Sequence, residues 1–140
     1  MASKADFTVS GTLDAKFPAV ARVEWEKKSV YYVAEFYENG VEMQAWFDTD
    51  AVWSMTETDL RTDLNVLPGL VQNAFQTGTY ADWRVDDIDK YERPAGIFYL
   101  IEIEKTGQPD RGLFYGEDGT LLKDVVDTEI GEVLPNISFN

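Results

Sequence analysis

The sequence predicts an α+β fold: two tandem repeats, each a short helix followed by a meander of antiparallel strands, sharing one curved sheet with the helices on one face. Three observations carry this. The stretch "YYVAEF" at residues 31–36 returns as "FYLIEI" at 98–103, so that Tyr32-Val33-Ala34-Glu35-Phe36 overlays Tyr99-Leu100-Ile101-Glu102-Ile103 at an offset of 67. The same offset carries Gly40 onto Gly107 and Phe47 onto Phe114, and one residue of slippage sets Asp50-Ala51-Val52 over Asp118-Gly119-Thr120. Apolar residues alternate with polar ones in short runs bounded by turn residues, which is the period of strands with one buried face.

Repeat one spans about 10–64. It opens with "VSGTLDAKF", where Ser10 or Thr12 caps a turn or two of helix that Pro18 ends. "ARVEWEKK" reads as a strand. "VYYVAEFYENG" alternates, turns at Asn39-Gly40 and returns as "VEMQAWFD"; a second turn near "DTDA" leads out through "VWSMTET". Ala51-Val52 stands where a hairpin glycine is expected. Thr56-Glu57-Thr58-Asp59 reads as a cap for the segment that follows.

Repeat two spans about 65–132. Its helix, "LPGLVQNAFQTG", has Pro68 near the first turn and Leu67, Leu70, Val71, Ala74 and Phe75 at helical spacing. "YADWRVDDI" and "GIFYLIEIEKTG" follow as strands, and "GLFYGEDGTLLKDVVDTEI" turns at Asp118-Gly119. Trp83 answers Trp25, and "DDIDKYERPAG" is an insertion relative to repeat one. Residues 133–140 close the chain as an extended tail.

Composition removes whole classes of function. The 140 residues contain no cysteine and no histidine, so Ser-His-Asp and Cys-His catalysis and the usual zinc sites are absent. The net charge of −14 is spread evenly, with 6 basic and 12 acidic residues in 1–70 and 6 and 14 in 71–140. Without a basic footprint the chain does not fit nucleic acid, and an anionic membrane surface repels it as well. The longest apolar run, "AGIFYLI", is far short of a membrane span, and "MASKADF" has no apolar stretch of a secretion signal behind it.

"VEWEK", "YYVAEF", the Gly-ended turn, "WFD", "ETDL", "LPGLV" and the repeated "YLIEIE…G…LFYGEDGTLLK" resemble, in their order and duplication, the β-lactamase-inhibitor-like, PepSY-like family of Bacteroidetes over roughly residues 10–130. The resemblance implies helix-plus-sheet repeats side by side, no enzymatic activity, and a periplasmic or extracellular location once a signal is removed. The chain departs from the family in lacking that signal, as expected of a trimmed mature form.

Alternation places Tyr32, Ala34, Phe36, Val41, Met43, Ala45 and Phe47 on the helix-covered face. The opposite face then gathers Tyr31, Val33, Glu35, Tyr37, Glu42, Gln44 and Trp46, with Phe98, Leu100 and Glu102 from repeat two. Large aromatics among carboxylates make a recognition surface. The expected partner is a protein or peptide, anchored by Tyr31, Glu35, Tyr37, Trp46, Phe98 and Glu102. The competing account packs the same aromatics across strands for stability or buries them in a homodimer.

Other constellations weigh less. Glu35 and Glu102 occupy equivalent positions and suggest a carboxylate pair, but no cleft accompanies them and no catalytic residue is assigned. "DTD" at 48–50 and "DDID" at 86–89 have carboxylates for calcium without the spacing of a calcium loop, and read as turn residues. Trp25 and Trp83 offer sugar stacking but read better as core pins. The expectation is a non-enzymatic binding module without cofactor or metal; the alternative is a small-ligand module taking carbohydrate or calcium.

Overall fold

The computed structural model describes residues 4–18, 22–127 and 137–139, with the side chains of residues 4–9 excepted. Two helices, α1 (Lys4–Lys16) and α2 (Gly69–Gln76), accompany eight strands: β1 (Glu24–Lys28), β2 (Tyr31–Glu38), β3 (Val41–Phe47), β4 (Trp53–Arg61), β5 (Arg84–Arg93), β6 (Gly96–Glu104), β7 (Arg111–Gly116) and β8 (Leu121–Val126). Strand order in the sheet follows the chain from β1 to β8, and the pairs β1–β2, β2–β3, β3–β4, β6–β7 and β7–β8 are antiparallel. The chain divides into two compact units, Met1–Thr58 with Glu92–Pro94, and Asp59–Tyr91 with Ala95–Asn140. The division falls inside β4, slightly before the expected repeat boundary.

In unit one, α1 begins well before the expected cap. Ser10 and Thr12 lie inside it, and the helix ends at Lys16, two residues before Pro18. Among the described side chains of α1, Leu13 is buried, packed with Ala34, Phe36, Ala45, Phe47 and Ala51. Ala34, Phe36, Ala45 and Phe47 are alternate residues of β2 and β3, held in one face by the register Ala34↔Ala45 and Phe36↔Met43, and Ala51 joins them from the β3–β4 turn. The β2–β3 corner takes Asn39 and Gly40 at φ 53° and 78°, the twist that a two-residue hairpin requires and that Asn-Gly supplies most cheaply. Residues 56–59 are strand and not a cap; Asp63, further on, accepts from the Asn65 N–H at 2.9 Å and starts a short 3-10 turn.

In unit two, Pro68 precedes the first turn of α2 with its φ already fixed near the helical value, and Gln72 turns back to donate to the Leu67 carbonyl at 2.7 Å. Leu67, Val71 and Phe75 are buried against Ile88, Tyr99, Ile101, Ile103, Leu113 and Tyr115. Leu70, expected on that stripe, is 62% exposed, because it points to the opposite side of a helix only eight residues long. The segment 86–89, expected as a turn, is the middle of β5.

The third corner of each unit is built alike. Ala51 N–H donates to the Asp48 carbonyl and Asp48 N–H to the Val52 carbonyl, as Gly119 N–H donates to Gly116 and Gly116 N–H to Thr120. Ala51 and Gly119 both hold left-handed backbone, at φ 62° and 85°. Carboxylates secure both turns: Asp48 accepts from the N–H groups of Asp50 and Val52, and Asp118 from that of Thr120. This match is consistent with a duplication of one module.

Candidate functional site

The sheet face turned away from each helix is built differently in the two units. In unit one the register sets three rows across the strands. Lys28 faces Tyr31; Glu26, Val33, Trp46 and Met55 form the next row; Glu24, Glu35, Gln44 and Glu57 form the third. Tyr37 and Glu42 pair beyond them. In the middle row Val33, Trp46 and Met55 are buried, at 2%, 9% and 0% exposure, and Glu26 at its end is exposed. Tyr31 meets Trp46 edge-on with centroids 5.8 Å apart, and the Lys28 ammonium lies 5.4 Å from the Trp46 ring. The indole Nε1 of Trp46 is buried without an acceptor.

Of the anchors expected in unit one, then, Tyr31 and Trp46 come together, Glu35 sits between Glu24 and Gln44, and Tyr37 stands in solvent at 62% exposure. Trp46 is a packed residue and not an open platform. A cavity of about 290 Å³ is lined by Glu24, Trp25, Glu26, Val33, Glu35 and Gln44.

In unit two the corresponding face is closed. Phe98 is 2% exposed, stacked on Tyr91 at 4.9 Å and met by Phe114 and by Phe139 of the C-terminal segment at 6.0 and 5.1 Å. Ile137, two residues before Phe139, is buried as well. The expectation that Phe98 lies on an uncovered face is therefore corrected: Phe139 of the tail, itself half-buried, packs on Phe98 and Phe114 there. The sequence hint was the apolar alternation of "ISF", too short to be distinguished from any other tail.

Glu102 sits four residues along the same strand, among carboxylates. It is hydrogen-bonded with Asp127 and Asp87, and Asp59, Asp87 and Asp89 bring carboxylate oxygens within 4.8 Å of one another. Burial, with these hydrogen bonds and like charges, pushes the Glu102 carboxyl up to about 8. At neutral pH it is a protonated acid that donates to its neighbours. The three aspartates are also close enough to share a hard cation such as calcium. Face alternation carried from β6 onto β5 would have found Asp87 and Asp89; reading "DDID" as a turn concealed them.

A proton held this way makes stability depend on pH. The folded value of about 8 lies above the ordinary 4.5, so the contribution is fully present below pH 4.5, declines as the unfolded chain releases its proton, and is gone above about 8. Glu102→Gln, which keeps a donor and carries no charge, is expected to remove this decline. Denaturant midpoints at about pH 5 and about pH 8.5 should show wild type losing about 1–2 kcal/mol more than the variant, a figure discounted for partial solvent exposure. Equal losses would place no shared proton on Glu102.

Trp83 packs against the unit two core and meets Tyr80 edge-on at 5.2 Å; Trp25 is 39% exposed, with its ring 6.1 Å from Phe47. Glu35 and Glu102 each have carboxyl neighbours of their own, Glu24 for the first, Asp87 and Asp127 for the second.

A sequence profile described as "Putative beta-lactamase-inhibitor-like, PepSY-like" matches residues 30–123. The chain belongs to this family. The PepSY-like chain also resembles solved structures along nearly its whole length. It is 34% identical to a BLIP-like protein from Bacteroides fragilis, with a TM-score of 0.81 and coverage of 87% of this chain and 86% of that one. A DUF2874 family protein from Bacteroides ovatus is 31% identical at a TM-score of 0.85, covering 95% of each chain. A protein from Bacteroides eggerthii, described as "putative periplasmic", is 27% identical at 0.84, covering 96% and 95%. No curated protein matches. Family and fold are those of an inhibitor-like binding module, and no helix among the described residues of this PepSY-like chain is long and apolar enough to cross a membrane.

Proposed function

We propose that this protein is a non-enzymatic, exported binding module that takes a protein or peptide on the second sheet face of unit one. The observation that carries the reading is Tyr37, an aromatic side chain 62% exposed on the face that also presents Glu24, Glu35 and Glu42. Exposed tyrosine among polar neighbours supplies contact area at low entropic cost, and such residues dominate interface energetics. Tyr31 and Glu35 border the same surface, whereas Trp46 supports it from within. Phe98 and Glu102 belong to the closed face of unit two and act on its stability. The periplasmic description of a relative and the inhibitor-like family support an exported binding role. The rival small-ligand reading has in its favour the Asp59, Asp87 and Asp89 carboxylates, which suit calcium.

The test is selection of binders from a displayed random-peptide library against the immobilised wild-type protein. Tyr37→Ala is expected to weaken the selected peptides at least tenfold, about 1.4 kcal/mol, with an unchanged melting temperature. Binders indifferent to Tyr37 would move the site elsewhere. Light scattering on the same samples identifies a second copy as the occupant if wild type is a dimer that Tyr37→Ala dissociates.

A further inference from the structure

One segment of unit two is held by the rest of it as a ligand would be. Residues 137–139 belong to no helix or strand, and their burial alternates: Ile137 is buried, Ser138 exposed and Phe139 half-buried. That is the period of an extended chain lying on a surface. The Phe139 ring stands edge-on to Phe98, with centroids 5.1 Å apart, and tilted to Phe114 at 5.8 Å. The platform beneath is braced without it, since Phe98 stacks on Tyr91 at 4.9 Å and leans on Phe114 at 6.0 Å. The platform also belongs to the repeated module and not to the tail. Phe98 and Phe114 hold the positions that Tyr31 and Trp46 hold in unit one, where the two rings meet at a similar 5.8 Å. In unit two a third ring, from outside the repeat, is laid on the pair.

We infer that this aromatic face is a recognition groove for an extended segment of a partner protein bearing an aliphatic and an aromatic side chain two residues apart, and that Ile137–Phe139 fills it as a displaceable stand-in. The seated segment defines the chemistry of the ligand. It brings a ring that completes an aromatic cluster, an aliphatic side chain two positions earlier, and a polar residue between them that faces solvent. Aromatic pairs at these separations add to the burial of their area, so the ring is the anchor. Release of residues 137–139 leaves the eight-stranded sheet paired, because they are part of none of its strands. A partner segment competes with the tail, and its apparent affinity falls by the fraction of molecules in which the groove is free. This second site stands apart from the reading of unit one, whose Tyr37 surface takes no part in it.

The experiment follows the fluorescence polarisation of a labelled peptide, Val-Leu-Pro-Asn-Ile-Ser-Phe-Asn, which is the sequence of residues 133–140. It is titrated with the full chain, as wild type and as Ile137→Ser with Phe139→Ser. The variant, whose own tail no longer competes, is expected to bind the peptide saturably and about tenfold more tightly than wild type does. The same peptide with serine in place of its isoleucine and phenylalanine should bind neither protein. Equal binding by wild type and variant would place the peptide elsewhere and overturn the inference, as would a variant that keeps its circular dichroism spectrum and binds nothing. Should the variant not fold, wild type decides. In an isotope-labelled full chain, excess unlabelled peptide is expected to speed hydrogen exchange at residues 137–139, and unchanged exchange overturns the inference. A wild-type dimer in light scattering that the variant loses would make a second copy's tail the occupant and overturn the assignment to a different protein.

Discussion

Phe98→Ala is expected to destabilise the protein by about 3–5 kcal/mol, read as a fall in denaturant midpoint with little change in slope. The ring is 2% exposed and is gripped from three directions, stacked on Tyr91 at 4.9 Å, tilted to Phe114 at 6.0 Å and edge-on to Phe139 at 5.1 Å. Truncation removes its transfer free energy, leaves a cavity, and strands Phe139 without a principal contact. A loss of less than about 1 kcal/mol would mean that the ring faces a surface able to collapse around the gap, as an exposed anchor would. The contrast with Tyr37→Ala is the informative one. Two aromatic residues on the second sheet face, each within its own unit, should separate cleanly into one that holds the fold and one that leaves it untouched.

Gly119→Ala is expected to cost about 2–4 kcal/mol, the sum of a left-handed backbone and a forced contact. At φ 85° an L-residue is strained, yet Ala51 occupies the matching corner of unit one at φ 62°, so the backbone alone is tolerable. The contact decides the outcome. A Cβ on Gly119 would stand 2.5 Å from the Leu70 carbonyl oxygen and 3.1 Å from its carbon, both main-chain atoms of α2 that cannot rotate away. Moving them displaces Val71, which is fully buried in the unit two core. The same position in unit one has room for a methyl group, and Ala51 is itself part of that core. Thermal melts of Gly119→Ala and Ala51→Gly together test the account: a large loss in the first beside a small change in the second. Similar small effects in both would show that α2 yields at little cost.

Much of this architecture was legible in the chain because its strands alternate. The face assignments of β2 and β3 follow from period two and from the Asn39-Gly40 corner, whose preferred geometry fixes the register. The start of α1 was not legible, since "KADFTV" has neither a cap nor a clear apolar stripe to distinguish it from an unstructured leader. Leu70 misled because helical spacing was counted over more residues than the helix contains. The burial of Phe98 was invisible for a different reason. Alternation tells which face a side chain occupies, never what covers that face, and here Phe139 is forty-one residues away in the chain. The carboxyl cluster around Glu102 was missed by treating 86–89 as a corner when its alternate aspartates belong to a strand.

The first strand, Glu24–Lys28, is five residues long, mostly exposed, and carries four charges around Trp25. It stands at one end of the strand order, where unpaired main-chain groups would otherwise template the addition of another chain. Its charges act as gatekeepers against cross-β growth. An incoming segment meets hydrated carboxylates and ammonium groups before it can reach backbone. Strand recruitment at this edge is thereby opposed, and the open end of the sheet is kept from adding further strands.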